Sequence, residues 1–418
     1  MNAETQTPPI PLMADAPPHI TAPGRLLSID IFRGLTMVVM IFVNDLAGVS
    51  GLPWWNYHMP GNVNGMTYVD MVYPFFLFVV GLSIPLAITQ RLKKDPSLKP
   101  LWLHVITRSF SLIVLGYILA NAEHGDPARM VVDPNAWAVI SLLGAALFLS
   151  VYDKNGPHAK LHLWLRFAGL GLVIAMLALF RRTTPDGRVA WFDGSYPEIL
   201  GLIGYTYLAV CILYIPTRRR LWAPVAWFVA LLGLNVAFAA KWITLVSPHH
   251  MRLYLWPFGN GAMACITMGG IVTSVIFMGA HRWQGLREKI LLGVGFGLTV
   301  LAAGWLLAPL GISKNRATPS WGLYCVGAAA LLFTLLYWIC DVRRHTTWAF
   351  FARPAGANTL LTYLLPDIFY FALGWAGISW FDRHLNYGWP GALRSALFTA
   401  VILAIAAVLT KWKVRLQL

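Results

Sequence analysis

Long apolar runs alternate with short polar segments along most of the chain. Each run is close to the length that crosses a bilayer as a helix, which is roughly 20 residues. The pattern predicts an all-α protein, a polytopic transmembrane helix bundle of about 10–12 spans, of which the fourth and sixth are the shortest. The candidate spans lie at 27–47, 67–90, 103–121, 135–152, 161–180, 198–215, 222–244, 259–280, 289–310, 320–341, 356–378 and 391–411.

Basic residues cluster in the segments between alternate runs, and lysine and arginine are typically enriched in cytoplasmic loops. The intervening segments are poorer in them, apart from RRTTPDGR at 181–188. This alternation predicts an even number of spans with both termini in the cytoplasm. The loop after the first span then faces the opposite side. The basic segments are RLKKDPSLK (91–99), PTRRR (216–220), HRWQGLREK (281–289), VRRH (342–345) and KWKVR (411–415).

The composition agrees with a membrane protein and argues against a nucleic-acid-binding one. The 418 residues are 58% hydrophobic and 12% charged, whereas soluble domains carry about 25% charged residues. The net charge of +15 comes from loop clusters and not from one basic surface. We expect the proline-rich residues 1–23 to form a disordered cytoplasmic tail and residues 24–418 to form one membrane domain.

The segment from Ser28 to Pro85 holds the most concentrated polar chemistry. His58 lies in the loop after the first span, and a histidine can accept a proton near neutral pH. Trp55 could bound a pocket there, and Asn44 and Asn64 could orient the histidine or hold a substrate carbonyl. The structural alternatives are an interfacial aromatic belt, a helix cap and a turn.

Ionisable groups inside the apolar runs are expensive and often functional. Asp30 and Arg33 are three residues apart and so share a helix face, where they could form an ion pair. Arg33 could instead face a cytoplasmic anion. Asp70 and Arg108 lie in neighbouring spans and could also pair.

Two later segments are unusually polar for so apolar a chain. ISKNRATPSW (312–321) brings Lys314 and Asn315 to the side predicted for His58. ARPAGANTLLTYLLPD (352–367) places Asn358, Tyr363 and Asp367 on the eleventh span. These side chains could serve a site, or they could belong to loops and helix packing.

Prolines and glycines lie inside several predicted spans, including Pro74, Gly81 and Pro85 in the second and Pro366 in the eleventh. They could break helices that line a cavity or only bend them. The four cysteines show neither metal-ligand spacing nor a disulfide framework. The sequence also lacks a nucleotide-binding loop and an H-E-x-x-H zinc motif. ATP-driven transport and zinc hydrolysis are therefore unsupported, and no metal is expected.

Four elements occur in order near the N-terminus: S-x-D-x-x-R-G, an asparagine that ends the first span, a loop histidine, and NGMTYVDMVYPFF. With KNRATPSW and GANTLLTY further along, they resemble the transmembrane acetyltransferase family of heparan-α-glucosaminide N-acetyltransferase, with its bacterial NagX-type members. The resemblance is strongest over 25–90. The loop HMPGNVNG departs from the family pattern, in which Trp-Asn-Gly closely follows the histidine, because it is longer and lacks that Trp.

The resemblance implies a bacterial inner-membrane enzyme that moves an acetyl group from cytosolic acetyl-CoA to a glucosamine-type amine on the far side, and a homodimer is possible. His58 and Asn44 fall on the family's active-site positions. Asp30, Arg33 and Arg108 are then expected near acetyl-CoA. The residues expected at the substrate are Trp55, Asn64, Asp70, Lys314, Asn315 and Asn358.

Within this interpretation His58 is a general base or, alternatively, a nucleophile that forms an acetyl-enzyme. Asn44 could donate a hydrogen bond to the thioester oxygen as charge develops there. Two other functions stay open. A secondary transporter would also have charged groups inside the membrane, although the two halves of the chain show no convincing repeat. A membrane O-acyltransferase is the other alternative.

Overall fold

The computed structural model describes residues 26–153, 156–244, 259–380 and 384–417, so the proposed tail at 1–23 lies outside the described residues. The regular secondary structure of these parts is helical, apart from one two-stranded antiparallel hairpin of β1 (Arg182–Thr183) and β2 (Val189–Ala190). The helices are α1 (Leu27–Leu46), α2 (Val69–Lys94), α3 (Leu98–Ala122), α4 (Pro134–Leu149), α5 (Ala159–Leu179), α6 (Glu198–Thr217), α7 (Ala223–Ala239), α8 (Ala262–Met278), α9 (Leu286–Leu306), α10 (Pro319–Leu336), α11 (Arg353–Ala357), α12 (Thr359–Trp375) and α13 (Gly388–Lys411).

The predicted all-α, polytopic membrane fold is confirmed. Each of the twelve candidate spans coincides with a helix, and only the short α11 was not predicted separately. Within the described residues, eight helices are long and apolar enough to cross a membrane, and α4, α7, α8 and α12 are shorter apolar helices. The sixth span, predicted among the shortest, is a helix of 20 residues.

Close packing between α2 and α8 explains why a glycine, Gly81, lies inside the second span. A Cβ built on Gly81 of α2 would lie 1.9 Å from the backbone oxygen of Thr267 in α8. Across the same contact, Gly270 of α8 meets the backbone of Phe78. Small residues let membrane helices approach this closely. Since α2 is continuous over Pro74 and Pro85, and α12 over Pro366, the interpretation that these prolines break the helices is wrong.

The loops gather at two opposite ends of the bundle. At the end that carries the loop of residues 47–68, which we call the His58 end, Ser50 donates to Asn386 and Gly65 donates to the backbone of Ile312. At the other end, which we call the basic end, Asp341 accepts from the first turn of α1. The C-terminal segment also lies there, and Gln417 donates to Leu149. The described chain therefore starts and finishes at the same end, and the assignment of that end to the cytoplasm stays a prediction.

Candidate active site

The centre of the site is a hydrogen bond between His58 and Asp70. Asp70 lies buried in the first turn of α2, and its Oδ1 accepts from Nδ1 of His58 at 2.8 Å. Its Oδ2 accepts from the backbone N–H groups of Met59 and Thr67 at 3.2 and 3.0 Å. Because both carboxylate oxygens act as acceptors, the imidazole carries its proton on Nδ1. Nε2 is then left with a lone pair that can take a proton.

Lys314 approaches the same imidazole from the loop before α10. Its Nζ lies 3.2 Å from Nε2 of His58 and 3.3 Å from Nδ1. Burial lowers the pKa of Lys314 below its ordinary value, while the carboxylates of Asp70 and Glu198 oppose that change. The ammonium group of Lys314 therefore gives up its proton more readily than that of an exposed lysine. It is placed beside the nitrogen that would act as a base.

Two of the predicted asparagines hold this arrangement together. Asn64 accepts from the guanidinium of Arg316, and Asn315 donates to the backbone oxygen of Met59 at 3.5 Å. Both contacts join the loop of His58 to the loop of Lys314. Trp55 is exposed and packs at an angle on Tyr68, with ring centroids 6.4 Å apart. Its expected role at the substrate stays a prediction.

Asn44 lies in a cavity of about 330 Å³ near the His58 end, which we call the carboxylate cavity. Four acidic side chains line it, namely Asp45, Glu123, Glu198 and Asp367. His58 is not among the residues that line it, so the structure does not bring His58 and Asn44 into contact. Lys314 contacts His58, and the charge of Glu198, which lines the cavity, acts on Lys314 through space.

A larger cavity of about 560 Å³ opens towards the basic end, and we call it the basic cavity. Its polar lining includes Arg33, Arg91, Lys94, His104 and Arg108. Cationic side chains of this kind bind phosphate groups through charge-assisted hydrogen bonds. The site has the charge expected of a pocket for a polyanionic ligand.

Arg33 is held in the wall of the basic cavity by three contacts. Its NH1 donates to Asp30 and to the backbone oxygen of Gly356, each at 3.3 Å, and its NH2 donates to Ser83 at 2.8 Å. The predicted ion pair with Asp30 is therefore present. Asp30 itself is not among the residues that line the cavity, so it acts on a ligand there only through Arg33.

The two cavities adjoin, since Tyr363 of α12 lines both. Along α1, Arg33 lines the first and Asn44 the second. Eleven residues of α-helix separate these two side chains, which is about 16 Å along the axis. A ligand with an anionic head and a long arm could therefore bind at the basic end and present its tip near Asn44.

Two expectations about polar residues are corrected by the structure. Asp70 does not pair with Arg108, because Asp70 is engaged by His58 at the His58 end while Arg108 stacks over Tyr207 in the basic cavity. Asn358 does not join the His58 group. It is buried at the basic end, where it donates to Thr410 and Val414 and ties down the C-terminal segment.

Asp45, an ionisable residue that the sequence places at the end of the first span beside Asn44, is buried in the structure and has partners that the sequence did not predict. Asp45 accepts from Arg394 of α13 at 3.1 Å and from the hydroxyl of Tyr370. The ion pair fixes the end of α1 against α12 and α13, and thereby fixes Asn44. Sequence reasoning did not single out Glu123 and Glu198, although acidic residues next to apolar runs were a signal that could have found them.

The chain matches one known family model over more than half of its length. Residues 25–258 match a family model described as a domain of unknown function (DUF5009). The chain belongs to this family. The matched segment contains α1, the loop of His58 and α2, so it includes the centre of the site.

Two curated relatives are similar over shorter segments. The chain is 34% identical to heparan-alpha-glucosaminide N-acetyltransferase of Mus musculus over 143 residues, which are 34% of the chain and 20% of the relative. It is 34% identical to the Homo sapiens protein of the same name over 129 residues, or 31% of the chain and 18% of the relative. The resemblance inferred from the motifs is confirmed at the level of the family. The match spans about a fifth of the length of these relatives.

Proposed function

We propose that this DUF5009 protein is a transmembrane acetyltransferase that moves the acetyl group of acetyl-CoA to the amine of a glucosamine-type amino sugar. The observation that carries the proposal is the pair of adjoining cavities that meet at Tyr363, one basic and one lined by Asn44 and carboxylates. The names of the curated relatives favour this chemistry. The match covers only about a fifth of each of these relatives.

Acetyl-CoA would bind in the basic cavity. Its phosphates carry several negative charges, and Arg33, Arg91, Lys94 and Arg108 supply the opposite charge. The pantetheine arm would then run past Tyr363 and bring the thioester towards Asn44. This binding mode needs no passage of the nucleotide through the membrane, because only the acetyl group reaches the other cavity.

The amine of the acceptor would attack the thioester carbon. The new N–C bond forms as the C–S bond breaks, and the CoA thiolate leaves. The attacking nitrogen must lose a proton, which we assign to Nε2 of His58, directly or through Lys314 at 3.2 Å. Asn44 would donate a hydrogen bond to the carbonyl oxygen while it carries negative charge. Since Asp70 holds Nδ1–H, His58 is oriented as a general base.

The test is transfer of radiolabelled acetyl from acetyl-CoA to glucosamine by the purified protein in detergent. A general base contributes about 10²–10⁴-fold, so His58→Ala should lose that much turnover. The matched control is His384→Ala, which removes an exposed histidine from a loop at the same end. Equal turnover in wild type and His58→Ala would remove His58 from the mechanism.

A thermal-shift measurement separates this proposal from a sugar transporter. Acetyl-CoA should raise the unfolding temperature of an acetyltransferase. Above the dissociation constant, the added stability should grow with the logarithm of the acetyl-CoA concentration. A transporter for the sugar alone would show no such shift. A wild-type protein that neither transfers acetyl nor is stabilised by acetyl-CoA would overturn the proposed function.

We propose further that the protein lies in a bacterial inner membrane with the basic end in the cytoplasm. An impermeant thiol reagent applied to intact cells should then label Trp55→Cys at the His58 end and spare Ser97→Cys at the basic end. Labelling of the second and not the first would reverse the orientation.

A further inference from the structure

Three of the four acidic side chains in the carboxylate cavity lack a cationic partner. Asp45 is paired with Arg394. In the described parts of the chain, no lysine or arginine forms an ion pair with Glu123, Glu198 or Asp367. Lys314 acts on Glu198 electrostatically and contacts His58 instead.

Asp367 is the member of this group that most needs a ligand. It lies on α12, half-buried and without a hydrogen bond from a described residue, and its side chain lines the cavity. Its electrostatic neighbours are Glu198 and Glu123, which carry the same charge. A half-buried carboxylate without a cationic partner carries a desolvation cost, and like charges nearby raise that cost. A cation in the cavity would remove the penalty.

The shape and walls of the cavity favour an organic cation over a bare metal ion. Its volume of about 330 Å³ is at the lower end of the range for small-molecule sites. Tyr196, Tyr370 and Phe371 share the lining with the carboxylates. Aromatic rings attract ammonium groups through their faces and pack against the apolar face of a sugar ring.

We propose that the carboxylate cavity binds the acceptor as a protonated primary amine, with Asp367 and Glu198 around its ammonium group. This inference rests on the proposed function, because it identifies the site for the acceptor of that reaction. Recognition and proton removal are then separate tasks. The carboxylates select the cation. His58 with Lys314 takes the proton that the ammonium group must lose before attack, and the second proton of the nitrogen goes to the CoA thiolate as it leaves.

The same arrangement would release the product. Acetylation converts the ammonium group into a neutral amide, which can no longer pair with Asp367 or Glu198. The acetylated sugar should therefore bind much more weakly than the free amine. The site would favour exchange of product for a new acceptor without any change of conformation.

The experiment measures binding in the absence of acetyl-CoA, by calorimetry on the purified full-length protein in detergent. The probes are glucosamine, glucose, N-acetylglucosamine and sodium chloride. Glucosamine should bind at least about tenfold more tightly than glucose or N-acetylglucosamine, because the charge-assisted hydrogen bonds to the carboxylates of the cavity are lost with either neutral sugar. Comparable binding of all three sugars would overturn the proposal, and so would displacement of glucosamine by millimolar sodium ions.

Variants assign the effect to the cavity. Asp367→Asn should weaken glucosamine binding at least about tenfold and leave glucose binding unchanged, and Glu198→Gln should act in the same direction. The matched control is Asp186→Asn, which changes an exposed carboxylate in the hairpin turn and should bind glucosamine like wild type. Cooperative thermal unfolding at a temperature close to that of the wild type verifies that each variant is folded. A folded Asp367→Asn variant with wild-type glucosamine affinity would refute the assignment.

The outcome is distinguishable from a failure of the proposed function. If glucosamine binds selectively but no acetyl is transferred, the enzyme assignment fails and the ammonium site stands. If acetyl is transferred while charged and neutral sugars bind equally, the ammonium site fails and the enzyme assignment stands.

Discussion

Replacing Asp70 by asparagine should switch off the base without disturbing its position. In the wild type, Oδ2 of Asp70 accepts from the N–H groups of Met59 and Thr67, and Oδ1 accepts from Nδ1 of His58. An asparagine has only one acceptor oxygen, and two backbone donors compete for it. The amide oxygen therefore takes the Oδ2 position, and the NH₂ group faces the imidazole.

This exchange reverses the tautomer of His58. An NH₂ group donates to Nδ1, so Nδ1 becomes the acceptor and the ring proton moves to Nε2. Nε2, which lies 3.2 Å from Nζ of Lys314, can then no longer accept a proton. Turnover should fall by about 10²–10⁴-fold, the usual contribution of a general base, and the analogous change in serine proteases costs about 10⁴.

The measurement is acetyl transfer to glucosamine by Asp70→Asn, together with thermal unfolding and acetyl-CoA binding. Because the backbone hydrogen bonds survive, the loss of stability should be about 1.5–3 kcal/mol, the scale of one hydrogen bond to a charged group. Acetyl-CoA affinity should not change, since its cavity is at the basic end. The matched control is Asp126→Asn, an exposed loop carboxylate that also accepts from a backbone N–H. Wild-type turnover in a folded Asp70→Asn protein would refute the reasoning.

Three further predictions concern packing, charge and pH. Gly81→Ala should destabilise the protein by about 1–3 kcal/mol or more through overpacking, whereas Gly171→Ala, whose Cβ meets no atom within 4 Å, should not lower the unfolding temperature. Arg91→Ala should weaken acetyl-CoA binding about tenfold and reduce its salt dependence, and the exposed Arg188→Ala serves as the control in the same titration. Burial lowers the pKa of Lys314 in the folded protein below the ordinary 10.5. Between the folded and the ordinary pKa the unfolded chain binds more protons, so the free energy of unfolding rises with pH. Lys314→Met should flatten this rise in unfolding scans at alkaline pH.

The sequence was sufficient to predict the helices because the bilayer imposes one requirement on every span. A span must satisfy its backbone internally and be long enough to cross the hydrocarbon, so apolar length predicts a helix almost regardless of what it packs against. The pair of Asp30 and Arg33 was predictable for a similar reason. Its geometry follows from helix periodicity alone, and the structure contains it at 3.3 Å.

The site was only partly predictable, because its contacts join segments that are distant in the chain. His58 and Lys314 are 256 positions apart, and no local pattern predicts that their loops meet. Asn358 shows the converse problem. Its position in a polar segment of an apolar chain suggested a substrate contact, yet its amide is satisfied by Thr410, Val414 and Leu416. The polarity of Asn358 indicated that its side chain has a hydrogen-bond partner, but which residue is that partner depends on the packing of the whole bundle.

The division of charge between the two cavities argues for transfer over transport. A carrier must move its whole substrate past the midpoint of the membrane, so its binding site has to suit that substrate from both sides. Here the polar lining changes along α1 from arginine and lysine at the basic end to carboxylates at the His58 end, with Tyr363 between them. An anionic donor is attracted at one end and a cationic acceptor at the other, and each would be repelled by the opposite cavity. In the proposed binding mode the charged nucleotide stays at the basic end, and only the uncharged arm with its acetyl thioester has to pass Tyr363.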